Sequence, residues 1–260
     1  MLDTLHLLLG GLSGVLVGFT LGLVGGGGSI LAVPLMVYLV GIKSPHVAIG
    51  TSALAVAFNA MIGLVSHWRA GNVKWRCASV FAASGVVGAA LGSTIGKALD
   101  GQKLLFLFAL VMIVIGVVML RRRGATGNPG VRLGRENAGK LVGFGAGAGL
   151  FSGFFGIGGG FLIVPGLVAA TGMPMLNAVG SSLVAVTAFG VTTAGNYALS
   201  GLIDWPLAAV FIAGGAIGSL AGTRAAKRLS SSGRLATIFA GLIFVVAAYI
   251  MWKSGAQIFA

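Results

Sequence analysis

Apolar residues in this chain come in long runs separated by short polar breaks. The runs cover 5–23, 29–41, 45–67, 74–97 and 103–120, and then 139–154, 160–171, 174–199, 205–227 and 235–252. A helix rises 1.5 Å per residue and a bilayer's hydrocarbon core is about 30 Å thick, so runs of about 20 apolar residues predict membrane-crossing helices. Two runs, 29–41 and 160–171, are too short for this, reaching only about 20 Å. They are either re-entrant, giving eight spans, or broken helices that complete a crossing with their loops, giving ten. Between the two groups of five lies a polar stretch, 121–136, containing Asn128-Pro129-Gly130, which cannot span and marks the midpoint.

The two groups also match residue by residue. Gly14, Gly18, Gly22 and Pro34 recur as Gly145, Gly149, Gly153 and Pro165, 131 positions later. After a one-residue slip, Gly50, Thr51, Ser52, Gly71, Trp75, Gly88, Gly92 and Lys97 recur as Gly180, Ser181, Ser182, Gly201, Trp205, Gly218, Gly222 and Lys227. A sustained register that includes Trp, Pro and Lys predicts an internal duplication. We expect a first repeat over 1–120, a linker over 121–136 and a second repeat over 137–260.

Composition agrees with the membrane class. Hydrophobic residues make up 57% of the chain and charged residues 8%, against about 25% charged in an ordinary soluble domain. The first apolar run has no basic region before it and no small-residue cleavage site, so it reads as a retained helix. The net charge of +13 lies between apolar runs, not on one face, which argues topology and not nucleic-acid binding. With ten spans, thirteen of the seventeen basic residues fall on one side and only Lys43, Lys97, Lys103 and Lys253 on the other. Eight spans would divide them ten to seven. The positive-inside rule therefore favours ten, with both termini outside and the linker in the cytoplasm. Five spans per repeat inverts the second half relative to the first, an arrangement common in secondary transporters. The predicted fold is an all-α integral membrane protein of two inverted repeats, each of about five helices, with the second helix of each short and broken at a glycine-rich loop.

Candidate chemistry is sparse. Gly10, Gly14, Gly18 and Gly22, like Gly88, Gly92 and Gly96 and like Gly214, Gly218 and Gly222, recur every four residues and predict close helix packing. The glycine runs before the short segments differ, since successive glycines unwind a helix and its restart exposes N–H groups that attract an anion. This selects Gly26, Gly27, Gly28 and Ser29 in the first repeat and Gly158, Gly159 and Gly160 in the second; the plainer alternative is a tight turn. Thr51 and Ser52, with Ser181 and Ser182, add hydroxyls on the segment that follows, unless they bond their own helix carbonyls. Asn59, mid-segment, needs a partner, and His67 and Tyr197 near segment ends are candidate gates or proton-linked groups. All four acids sit at segment ends and Cys77 is a lone cysteine. No carboxylate is available mid-membrane for a cation; no metal, cofactor or catalytic set is predicted, and an enzyme is not expected.

At these residues the chain resembles the sulfite exporter TauE/SafE family, also called the 4-toluene sulfonate uptake permease family. The likeness lies in Gly22-Leu23-Val24-Gly25-Gly26-Gly27-Gly28 with Pro34 and Gly50-Thr51-Ser52. It recurs in Gly153-Phe154-Phe155-Gly156-Ile157-Gly158-Gly159-Gly160-Phe161 with Pro165 and Gly180-Ser181-Ser182. His67 with Gly71-Asn72-Val73, and Tyr197 with Ser200-Gly201-Leu202-Ile203-Asp204-Trp205, also look like that family. The resemblance implies a bacterial inner-membrane protein that moves a small sulfur-containing oxyanion, sulfite or an organosulfonate, in the export direction. An anion channel or an uptake permease for another small anion on the same fold is the alternative. Membrane lipid is the only other partner expected.

Overall fold

The computed structural model describes residues 4–121, 127–128, 130–156, 160–230 and 235–258. Its described residues form helices and no strands. Helix α1, Thr4–Val24, ends where Gly25 takes φ +65°, a left-handed conformation open to glycine at little cost. The chain folds back there into α2, residues 25–39, a 3-10 helix over Gly25–Leu31, one α-turn over Ala32–Pro34 and a π-type turn over Leu35–Leu39. Four glycines favour α-helix poorly, which leaves the tighter 3-10 form. The expected unwinding is thus confined to Gly25, and Gly26 to Ser29 stay helical.

Return along α1 is visible in the contacts. Thr20 Oγ1 donates to the Gly28 carbonyl at 3.1 Å, and a Cβ on Gly28 would strike the Thr20–Leu21 backbone. A Cβ on Gly41 would stand 3.9 Å from His6 Nε2, so the far end of the hairpin comes level with the start of α1.

The other helices are α3 Pro45–Arg69, α4 Trp75–Lys97, α5 Gly101–Arg121, α6 Arg135–Phe155, α7 Gly160–Thr171, α8 Met175–Ala198, α9 Trp205–Ser230 and α10 Leu235–Ile258. Their ends follow local chemistry. Pro45 stands in the first turn of α3, with Ser44 Oγ accepting the Val47 N–H, as helix starts prefer. Gly156 closes α6 at φ +65°, as glycine commonly does. Among the described residues, six glycines have positive φ and form three pairs, Gly25 and Gly156, Gly41 and Gly172, Gly71 and Gly201, each separated by 130 or 131 residues.

Among the described residues, five stretches are long and apolar enough to cross a membrane: Thr4–Leu39, Pro45–Arg69, Trp75–Lys97, Met175–Ala198 and Trp205–Ala226. Shorter apolar helical stretches are Gly101–Val114, Leu162–Thr171 and Ile243–Lys253. The molecule is therefore a multi-pass α-helical membrane protein.

Packing crosses between the two groups of five. α1 lies along α9, α4 along α6, α3 along α8 and α5 along α10. Glycine makes the first two contacts possible. A Cβ on Gly14, Gly18 or Gly22 would enter the carbonyls of Phe211, Gly215 or Ser219. A Cβ on Gly145, Gly149 or Gly153 would enter those of Phe81, Gly85 or Ala89. Gly214, Gly218 and Gly222 meet α1 in the same way, as Gly88, Gly92 and Gly96 meet α6. Such backbone-to-backbone approach is how membrane helices gain dispersion energy when lipid offers no hydrophobic drive. α3 and α8 run antiparallel through the centre, with Gly190 against Ala53 and Ala57, and Gly63 against Leu183.

Candidate substrate site

The glycine turn and the paired hydroxyls meet at one end of this centre. The Gly26 N–H donates to Ser182 Oγ at 2.9 Å, wholly buried, and Ser182 Oγ donates to the Val179 carbonyl at 2.7 Å. Gly25 lies so close to Val179 and Ser182 that a Cβ would not fit. Ser29 is buried and satisfied locally, its hydroxyl donating to the Gly26 carbonyl at 2.8 Å.

At the other end stands the matching set. Gly156, also at φ +65°, packs on Ile49, and one turn along α3 the Ser52 hydroxyl is buried without a hydrogen-bond partner among the described residues. Gly158 and Gly159 lie outside the described residues, and Gly160 is the first residue of α7.

The two sets do not converge. With Leu183 beside Gly63 in the antiparallel α3–α8 pair, Ser182 stands about twelve residues from Ser52 along α3, roughly 18 Å at the helical rise. One small oxyanion cannot touch both hydroxyls, so Ser182 and Ser52 belong to two separate sets.

Thr51 and Ser181 hold something else. Thr51 Oγ1 accepts the Asp204 N–H at 2.9 Å, and Ser181 Oγ accepts the Lys74 N–H at 2.9 Å. Each hydroxyl thereby ties the start of a helix, α9 or α4, to the central pair. Each therefore already serves the fold with one accepted hydrogen bond.

Between the two sets sits Asn59, fully buried, with neither amide nitrogen nor oxygen hydrogen-bonded among the described residues. It packs on Gly215 of α9, while Phe189, its counterpart, packs on Gly85 of α4. Ser219, one turn from Gly215 and against Gly63, carries another buried hydroxyl without a partner among the described residues. Its counterpart is Ala89, so the duplication gave no sign of it. His67 Nε2 donates to the Gly22 carbonyl at 3.1 Å, buried, fastening α3 to the end of α1. Tyr197 is fully buried, its ring 5.8 Å from Lys97 Nζ.

Lys97 makes three polar contacts, and the sequence gave it no role in a site. Its Nζ donates to Asn196 Oδ1 at 2.8 Å, to the Asn196 carbonyl at 3.1 Å and to Ser200 Oγ at 2.8 Å. Asn196 Nδ2 in turn donates to Ser93 Oγ at 2.7 Å and Thr94 Oγ1 at 3.0 Å. The network locks α4 to α8 beside Tyr197.

The described residues form a helical membrane core with buried hydroxyls, an amide and glycine turns, and comparison with known proteins places the chain among membrane transporters. Residues 10–250 match the family described as Sulfite exporter TauE/SafE, and the chain belongs to that family. It is 50% identical to a "Probable membrane transporter protein" of Xylella fastidiosa (strain Temecula1), over 95% of this chain and 96% of the relative. It is 26% identical to the "Probable membrane transporter protein YdhB" of Bacillus subtilis, over 80% of this chain and 86% of the relative. No solved structure matches the chain.

Proposed function

We propose that this protein is a secondary transporter that exports a small sulfur-containing oxyanion, sulfite or an organosulfonate, across the inner membrane by alternating access. The observation that carries the mechanism is the contrast between Ser182, closed onto the Gly26 N–H at 2.9 Å, and Ser52, buried without a described partner. A hydroxyl thus stands hydrogen-bonded at one end of α3–α8 and another stands buried without a described partner at the other. An arriving oxyanion would take a hydrogen bond from the Ser52 hydroxyl, and movement between the halves would exchange which of the two hydroxyls is occupied. Asn59, midway, is a donor along the route.

Ten spans in two inverted repeats, with both termini outside, fit this reading. Support comes from the full return of α2 along α1, the three pairs of left-handed glycines and the exchanged α1–α9 and α4–α6 packing. Sulfur oxyanions are favoured by the family description and by a described core with hydroxyl and amide donors but no buried carboxylate. The test is counterflow in liposomes: preloaded sulfite or sulfoacetate should accelerate entry of the labelled anion and saturate. Conductance without counterflow would make the protein a channel, and indifference to every sulfur oxyanion would sink the substrate assignment.

A further inference from the structure

Away from the central helices, a partly open cavity of about 350 Å³ lies between the start of α4 and the linker. Lys74, Trp75, Arg76, Cys77, Arg132 and Leu133 line it, and among the described residues no acid does. Three cations therefore face one space. α4 starts here with no side-chain cap and no acid in its first turn, so its terminal N–H groups add partial positive charge.

The corresponding corner at the start of α9 has the opposite character. Asp204 stands where Lys74 does, and its carboxylate accepts the Leu207 N–H at 3.1 Å; Pro206 stands where Arg76 does. The basic corner is therefore not a by-product of shared backbone geometry.

Depth in the membrane is indicated by tryptophan. Trp75 is exposed, lines the cavity, and meets exposed Trp68 edge-on with ring centres 6.1 Å apart. Exposed tryptophans collect at the level of lipid headgroups. A basic cavity at that level suits a phosphate, whose oxygens accept paired N–H bonds from arginine, and basic pockets at helix ends take acidic lipid headgroups.

We propose that this cavity binds the phosphate of an anionic phospholipid headgroup. The bound lipid joins the start of α4 to the linker, which is itself fastened beyond α7 by the Asn128 N–H donating to the Gly172 carbonyl at 2.8 Å. Lipid composition would then act on the mutual position of α4, the linker and α7.

The test is thermal unfolding of the purified full-length protein in neutral detergent, with added phosphatidylglycerol, phosphatidylcholine or inorganic phosphate. Phosphatidylglycerol should raise the midpoint, and the other two should not. R76Q/R132Q should keep the lipid-free midpoint and lose the rise, while K103Q, on a different helix, should keep it. R132Q alone, at an exposed linker position, should reduce the rise and serves if the double variant does not fold. An equal rise with phosphatidylcholine, an equal rise with inorganic phosphate, or an undiminished rise in the arginine variants would each overturn the proposal.

Discussion

Ser182 accepts the Gly26 N–H at 2.9 Å across 156 residues of chain, inside the core. The bond joins the turn after α1 to the second turn of α8, so it can report on the relative position of the two helices. Ser182→Ala leaves a buried N–H unpaired, at a cost of roughly 1–3 kcal/mol. The expected result is a lower unfolding midpoint together with altered counterflow. An unchanged midpoint would mean that the N–H finds another acceptor.

Asn59 gives the opposite expectation for stability. A buried amide without partners is costly, and an apolar residue of similar size is often neutral or stabilising in its place. Asn59→Leu should leave the midpoint unchanged or raised and reduce anion counterflow. Full transport in that variant would remove Asn59 from the proposed route.

Thr51 and Ser181 serve as paired anchors for helix starts. Removing a hydroxyl that accepts a helix-start N–H costs about 0.5–2 kcal/mol. Thr51→Ala and Ser181→Ala should each lower the midpoint by a similar amount, while Thr51→Ser restores the wild-type value. A loss of transport in Thr51→Ser with the midpoint intact would point instead to a direct role for Thr51.

Glycine substitutions should divide sharply by position. Gly18→Ala and Gly149→Ala would press a methyl into the Gly215 and Gly85 carbonyls, and overpacking of this kind costs about 1–3 kcal/mol. Gly147, two residues from Gly149, meets nothing within 4 Å, and Gly147→Ala should be silent. Comparable losses at Gly147 and Gly149 in a detergent-stability assay would contradict the packing described for α4 and α6.

Hydropathy made most helix limits readable. The run at 160–171 coincides with α7, and those at 45–67 and 74–97 fall within two residues of α3 and α4. In lipid a long apolar run satisfies its own backbone groups by forming a helix, which is why pattern alone suffices there. Glycines spaced by four were legible as packing positions for the same reason. What they pack against was not, because the pairing of α1 with α9 is a property of the whole fold.

The hydroxyls were less legible. Thr51 and Ser52 are neighbours in sequence, yet Thr51 holds the start of α9 while Ser52 faces the core without a described partner. Adjacent helix positions point about 100° apart, and only long-range contacts decide which of the two is occupied. The separation of Ser52 from Ser182 likewise depends on the antiparallel register of α3 and α8, which no local motif encodes.

The glycine face of α1 is completed by α9, the ninth of ten helices. During synthesis α1 therefore enters the bilayer long before its partner exists, and lipid tails must line its glycine stripe in the interval. The first five helices can be inserted in order, but α1 cannot reach its final packing until the ribosome has passed residue 222. Assembly of this protein is consequently stepwise: the α4–α6 seam can close once residue 155 is made, whereas the α1–α9 seam waits for the last stretch of translation, and a chain truncated before α9 would leave α1 unclasped.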